Sequence, residues 1–255
     1  MERGSDPAVA TFFAADEPFA AGATAALGAD VARHARVLRL GTGSTVRLVD
    51  GAGNRASGTV VRLATEALTV MIDTVETLPS APDVHLMLPV ADRDRMLWLA
   101  EKCAELELTS WRPVLWRRSR SVKPRGEGPM FAARVRARMT SALEQSASAR
   151  LPAMYPEATL ERAIAAVSSS APEKGTRVFL DRSGGPISEH EFRSPVTLAV
   201  GPEGGLEEDE KDALTAAGFV ARSLGSSILR FETAAIAALA IARVALAPSS
   251  HHHAD

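Results

Sequence analysis

Two glycine-containing stretches hold the residues best placed for chemistry: Gly201-Pro202-Glu203-Gly204-Gly205, and Leu224-Gly225-Ser226-Ser227-Ile228-Leu229-Arg230 running into Phe231-Glu232-Thr233. The first follows an apolar run, Val196 to Val200, and the second follows a short apolar segment after a polar helical stretch. Two strand-to-loop-to-helix junctions of this kind can lie side by side at one sheet edge, where open α/β folds bind small molecules. The first loop lacks the Gly-Lys-Ser/Thr of a P-loop and the G-x-G-x-x-G of a dinucleotide fold. Glu207, Glu208, Asp209 and Glu210 follow it. At the start of a helix these acids complement the dipole and would repel an anion placed on the free amides. A neutral or cationic ligand is therefore expected. S-adenosylmethionine, a sulfonium without phosphates, meets that condition; NAD and ATP do not. A plain tight turn stiffened by Pro202 is the other reading of this loop.

In the second loop Gly225 permits close backbone approach, and Ser226 and Ser227 supply small polar groups. Arg230 stands between that loop and a helix start, a place where a guanidinium suits a phosphate or a base edge. A surface pair between Arg230 and Glu232 is the alternative. Glu232 and Thr233 open the last helix, where an acid and a hydroxyl can satisfy free amides.

The elements that must position these loops alternate strand and helix. Val84 to Leu88 is a continuous apolar run, expected as a buried parallel strand. Asp92 to Leu106 carries Met96, Leu99, Cys103 and Leu106 at helical spacing, and Trp111 to Leu115 reads as the next strand. Arg118 to Gly128 is expected as a basic loop and Phe131 to Ser148 as a helix. Arg177 to Leu180 is expected as a strand, Ser183 to Pro186 as a turn, Val196 to Val200 as a strand, and Glu232 to about Ala247 as the last helix. The first third is different. Val46 to Val49, Thr59 to Leu63 and Leu68 to Ile72 are short β-rich runs separated by turn signals such as Asp50-Gly51, after a helical Ala29 to Leu40. That pattern suggests a small barrel, and Leu78-Pro79-Ser80-Ala81-Pro82 is the natural connector. The fold class is α/β with an amino-terminal β domain, divided as residues 8–78 and 82–248.

Composition narrows the class. The chain has 255 residues, 46% hydrophobic and 24% charged, with a formal net charge of −2, a balance ordinary for globular proteins. No stretch approaches the roughly 18 consecutive apolar residues of a membrane span, and the first residues do not read as a secretory signal; a cytoplasmic protein is the simplest expectation. Cys103 is the one cysteine, so no internal disulfide or cysteine metal cluster is expected. His34, His85 and His190 lack metal-ligand spacing, and no metal is expected. Between Arg112 and Arg138 the charge is almost wholly basic, with Glu127 the single acid. That is the footprint of a phosphate-rich partner, or else a solvated helix face and loop.

Gly-Pro-Glu-Gly-Gly before an acidic helix, then Leu-Gly-x-x-Ile-Leu-Arg-x-Glu-Thr-Ala, resembles the SPOUT methyltransferases, and more narrowly the RsmE type. His34 to Gly41 with the Asp50-Gly51 turn resembles that family's PUA-like β-barrel; the Cys103 helix, Arg118-Ser119 and the Glu144-Gln145-Ser146 segment with Leu151-Pro152 fall where the family has similar segments. The resemblance implies a SPOUT α/β domain with a trefoil knot, which connectivity rules make rare, plus a PUA-like barrel. It implies S-adenosylmethionine as cofactor, no metal, an obligate homodimer, and methylation of N3 of a uridine in 16S ribosomal RNA. Another RNA target, or a non-catalytic RNA-binding role, is the alternative. The implied cofactor contacts are Leu198, Val200, Gly201, Pro202, Glu203, Gly204, Gly205, Leu224, Gly225, Ser226, Ile228, Leu229, Arg230 and Thr233. Arg230, with Glu232, is expected to act in catalysis. Arg36, Arg39, Arg117, Arg118, Arg120, Lys123, Arg125 and Arg150 are expected to bind RNA. The chain departs from the family pattern at Glu107, where glycine is usual, at Val90-Ala91-Asp92, which lacks a lysine, at Ser148 in place of arginine, and at Glu207 in place of a capping serine.

Overall fold

A computed structural model describes residues 9–17, 19–119, 125–146, 148–170 and 175–247. The chain divides into two units, Met1–Ser80 with Thr140–Leu151, and Ala81–Met139 with Pro152–Asp255.

The first unit contains β1 (Thr11–Phe13), β2 (Thr24–Leu27), α1 (Ala29–Val37), β3 (Thr45–Val49), β4 (Asn54–Leu63) and β5 (Leu68–Thr77). They form a five-stranded sheet in the order β1-β3-β4-β5-β2, with β1 parallel to β3 and the other pairs antiparallel. Alternation decides which face is buried: Leu68, Val70 and Ile72 of β5 point into a core with Phe12, Leu48 and Val60, where Ala32 and Ala35 of α1 also pack. The Asp50-Gly51 signal does mark a chain reversal. The Asp50 carboxylate accepts from the amides of Ala52 at 2.7 Å and Asn54 at 3.0 Å, so the turn is tied by its own side chain. β1 and β2, unforeseen in the sequence, are short and alanine- or phenylalanine-rich, without the β-branched alternation that announces a strand.

Residues from 140 to 151 belong to this same unit. Glu144 accepts the Phe13 amide at 3.0 Å, and burial pushes its carboxyl up, against the lowering effect of that bond. Arg150 donates to the carbonyls of Ala52 at 2.7 Å and Leu78 at 2.8 Å. Arg150, expected as an RNA contact, thereby clasps the β3–β4 turn to the end of β5.

The second unit holds β6 (Val84–Pro89), α2 (Arg93–Glu105), β7 (Ser110–Val114), most of α3 (Pro129–Ser146), β8 (Ala153–Met154), α4 (Leu160–Ser170), β9 (Thr176–Pro186), β10 (Val196–Ala199), α5 (Glu208–Ala216), β11 (Val220–Ser223) and α6 (Phe231–Leu246). Its six strands run in the order β11-β9-β10-β6-β7-β8, all pairs parallel. β10 and β6 are inner neighbours, which is why their sequences show no polar alternation: Val196, Leu198, Val84, Leu86 and Leu88 are fully buried. Asp92 caps α2 by accepting the amides of Asp94 and Arg95, both at 3.1 Å.

The expected turn at Ser183 to Pro186 is not one. β9 continues to Pro186, pairing Gly185 with Arg222 and Pro186 with Ser223 across a bulge. Gly184 makes this possible, because a Cβ there would lie 2.5 Å from the Ala221 carbonyl carbon.

α6 is stapled at its far end: Arg243 donates to the carbonyls of Leu106 at 2.9 Å, Pro82 and Glu107. Glu107 itself has φ of 54°, in the left-handed region that glycine occupies without a Cβ clash. Glu107→Gly should therefore stabilise the protein by about 0.5–1 kcal/mol in urea unfolding, the strain relieved less glycine's unfolded-state entropy. An unchanged or lowered midpoint would show that the strain at Glu107 does not exceed glycine's entropic cost.

Candidate active site

The strands β10 and β11 flank β9, which runs on past the end of β10 to pair with the end of β11, and the two glycine loops leave from β10 and β11. A cavity of about 200 Å³ opens between them. Its first wall is Val200, Gly201, Pro202, Glu203, Gly205 and Leu206; its second is Arg222 to Gly225 with Ser227, Ile228 and Leu229. Leu180, Asp181 and Arg182 of β9 close the third side, and Phe231 and Ala234 of α6 form part of its lining. Val200, Leu206 and Phe231 are buried and give it an apolar floor.

Each loop is fixed locally. The Gly205 amide donates to the Pro202 carbonyl at 2.8 Å, and Gly205 has φ of 75°, closing a turn that needs glycine. The Ser223 hydroxyl donates to the Gly225 carbonyl at 3.0 Å and accepts its amide at 3.1 Å. Gly225 has φ of 126°.

Of the residues expected to hold a cofactor, Val200, Gly201, Pro202, Glu203, Gly205, Leu224, Gly225, Ile228 and Leu229 come together in this lining. Leu198, Gly204, Ser226, Arg230 and Thr233 are not part of it. Leu198 is fully buried within β10. A Cβ on Gly204 would meet Arg118, not the cavity. Ser226, Arg230 and Thr233 are exposed, Arg230 being the N-cap residue of α6 without a side-chain cap bond. Sequence reasoning missed Asp181, Arg182 and Arg222, whose approach depends on the non-local β9–β11 pairing. Arg222 Nε donates to His190 Nδ1 at 3.2 Å, and burial followed by the Arg222 charge lowers the His190 pKa.

The Arg230–Glu232 pair does not form. Glu232 is buried and its Oε1 lies 3.8 Å from Arg95 Nε. A second cleft, about 330 Å³, shares Pro202 and Glu203 with the first and adds Val90, Ala91, Asp92, Arg95, Arg118, Ser119 and Gly204.

The acids after the first loop have partners. Arg118 donates through Nε and Nη2 to Glu207 at 2.7 and 2.8 Å, and through Nη1 to the Gly204 carbonyl at 2.9 Å. Its guanidinium holds the Glu207 carboxyl below the ordinary range. Arg117 pairs with Asp209, and its amide donates to the buried Glu210 at 2.8 Å. Glu210 also accepts the Glu207 amide at 2.9 Å, completing a capping box in which the Glu207 side chain takes the place of the serine. Arg117 and Arg118, expected to face RNA, thus also fasten the first loop to α5. Arg36 and Arg39 are exposed, and Arg125 pairs with Glu127 at 3.2 Å. Arg120 and Lys123 lie outside the described residues. Cys103 is buried, and burial pushes its thiol pKa up, leaving it inert.

The pattern of an RNA methyltransferase domain matches residues 79–243, and that of an RNA methyltransferase PUA domain matches residues 27–72. The chain belongs to this RNA methyltransferase family. The cavity lies within the methyltransferase domain. Among curated relatives, a ribosomal RNA small subunit methyltransferase E of Mycobacterium bovis is 29% identical, over 91% of this chain and 90% of that one. One of the same name from Synechocystis sp. is 29% identical over 80% of this chain and 67% of its own length. Among solved structures, the ribosomal RNA small subunit methyltransferase E of Neisseria gonorrhoeae bound to S-adenosyl methionine is 27% identical with a TM-score of 0.82, covering 92% of this chain and 97% of that one. The methyltransferase fold is thus the SPOUT α/β class with a PUA-like domain. Among the described residues no helix is long and apolar enough to cross a membrane, and no group of three or more His, Cys, Asp or Glu is placed to hold a metal.

Proposed function

We propose that this protein methylates N3 of a uridine in 16S ribosomal RNA with S-adenosylmethionine as donor. The observation that carries the reading is the cavity of two glycine loops at the ends of β10 and β11, in a chain similar along nearly its whole length to a cofactor-bound small-subunit methyltransferase. The lining suits that cofactor. Phe231, Leu206 and Leu229 offer an apolar surface to a purine; Arg222 and Arg182 can take a carboxylate. The acids of α5 are poorly matched to a phosphate cofactor. When bound, S-adenosylmethionine supplies an electrophilic methyl group.

The residues of the chain must supply orientation. Uracil N3 is hydrogen-bonded while the base is paired, so the target must be presented unpaired. Arg230, at the seam between the second loop and α6, is placed to orient the base or to stabilise negative charge on its carbonyl oxygens. Glu232 faces Arg95, which argues against it as the base that removes the proton. RNA is held by residues 8–78 and by the basic segment of the 82–248 domain. Arg134, Arg136 and Arg138 are exposed along α3 and can meet the phosphate backbone, as Arg36, Arg39, Arg117, Arg118, Arg120, Lys123 and Arg125 are proposed to do. The protein acts as a homodimer in the cytoplasm. Trp98 of α2 is 48% exposed and Val244 of α6 is 78% exposed, apolar side chains that a second copy would cover.

Purified protein incubated with methyl-labelled cofactor and small-subunit RNA should yield 3-methyluridine on nucleoside analysis. Label on a ribose, or none on RNA, would overturn the assignment.

A further inference from the structure

We infer that Arg95 is a positioning residue that ties the first cofactor loop to the first turn of α6; the inference rests on the function proposed above. Arg95 stands in the first turn of α2, where the Asp92 cap holds its amide at 3.1 Å and Met96 and Leu99 anchor the helix in the core. From that platform its Nη1 donates to Glu203 Oε1 at 2.8 Å. Its Nε lies 3.8 Å from Glu232 Oε1. Glu203 belongs to the first loop, and Glu232 to the helical turn that the second loop enters. One guanidinium therefore links the first wall of the cavity to the helical turn that carries Phe231 and Ala234.

Glu232 makes the contact consequential. Its side chain is only 9% exposed, and its Oε2 has no hydrogen-bond partner among the described residues. A buried carboxylate so poorly satisfied depends on a nearby cation, and Arg95 is that cation. Without it, the first turn of α6 must shift or admit water, and Phe231 and Ala234, which line the cavity from that turn, shift with it. The far end of α6 is held independently by Arg243 on the carbonyls of Leu106, Pro82 and Glu107. Arg95 thus sets the width of the cavity, not the attachment of the helix. A planar fork can serve two carboxylates at once; an ammonium serves them less well.

The test uses full-length wild type, Arg95→Ala, Arg95→Lys, Glu203→Gln and the Arg95→Ala/Glu203→Gln double variant. Cofactor affinity is read by calorimetry and the melting transition is read without cofactor. Arg95→Ala should weaken S-adenosylmethionine binding about tenfold, with Arg95→Lys in between, and Glu203→Gln should add little in the Arg95→Ala background because the two act as one unit. Unchanged affinity in Arg95→Ala, or fully additive losses, would overturn the inference. A merely structural role would lower the melting transition and leave the affinity of the folded protein unmoved. Should Arg95→Ala fail to fold, an unchanged affinity in both Arg95→Lys and Glu203→Gln would overturn the inference equally. Wild-type protein that does not bind the cofactor would instead overturn the function on which the inference rests.

Discussion

Arg230→Ala should lower methyl transfer by about 10²–10³-fold, the usual cost of removing one charge-stabilising donor from a reacting centre, while cofactor affinity changes little. The two halves of this expectation come from separate observations. Arg230 caps α6 with an exposed side chain, and the acid nearest to it in sequence, Glu232, is turned toward Arg95. Among the described residues its guanidinium has no ion-pair or hydrogen-bond partner, so it is available to an incoming base. Its side chain does not line the cavity, so the cofactor loses no contact there. Single-turnover kinetics with saturating cofactor, beside calorimetry, separates the two effects. Wild-type turnover would remove Arg230 from the reaction; a parallel loss of affinity and turnover would place it in the cofactor site.

Gly225→Val should weaken cofactor binding about 10–100-fold. Gly225 has φ of 126°, a conformation that costs any residue with a Cβ of order 1–3 kcal/mol, and each 1.4 kcal/mol is about tenfold in affinity. No atom lies within 4 Å of a Cβ built there, so the penalty comes from the backbone. The loop must leave that conformation, breaking the reciprocal Ser223–Gly225 bonds and moving Leu224 out of the lining. Gly204→Val is a useful contrast. Its Cβ meets Arg118 Cβ at 3.2 Å, so it should disturb the Arg118–Glu207 clasp more than the cavity. Equal cofactor affinity in Gly225→Val and wild type would show that the second loop does not shape the site.

The sequence disclosed those features that local chemistry writes locally. Val196 to Val200 lacks polar alternation because β10 is flanked on both sides in a parallel sheet, and the acids after Gly205 mark a helix start wherever they occur. The glycines of both loops were legible for the same reason. What escaped is what only pairing between distant segments creates. Asp181, Arg182 and Arg222 reach the cavity through a bulged β9–β11 ladder that overrides the turn signal of Gly184-Gly185. The engagement of Glu232 with Arg95, 137 positions upstream by the numbering, has no sequence signature, and neither does the use of Arg150 as a clasp on Ala52 and Leu78. Basic residues are especially ambiguous: the same arginine-rich pattern reads as a phosphate surface whether each side chain is free or, like Arg118, bound to an acid of its own chain.

The central claim is most directly tested by primer extension across 16S ribosomal RNA from cells lacking this protein. N3 methylation blocks Watson–Crick pairing, so a strong stop should be present in wild-type cells, vanish in the deletion, return with the wild-type gene and stay absent with Arg230→Ala. A stop that persists unchanged in the deletion would contradict the account.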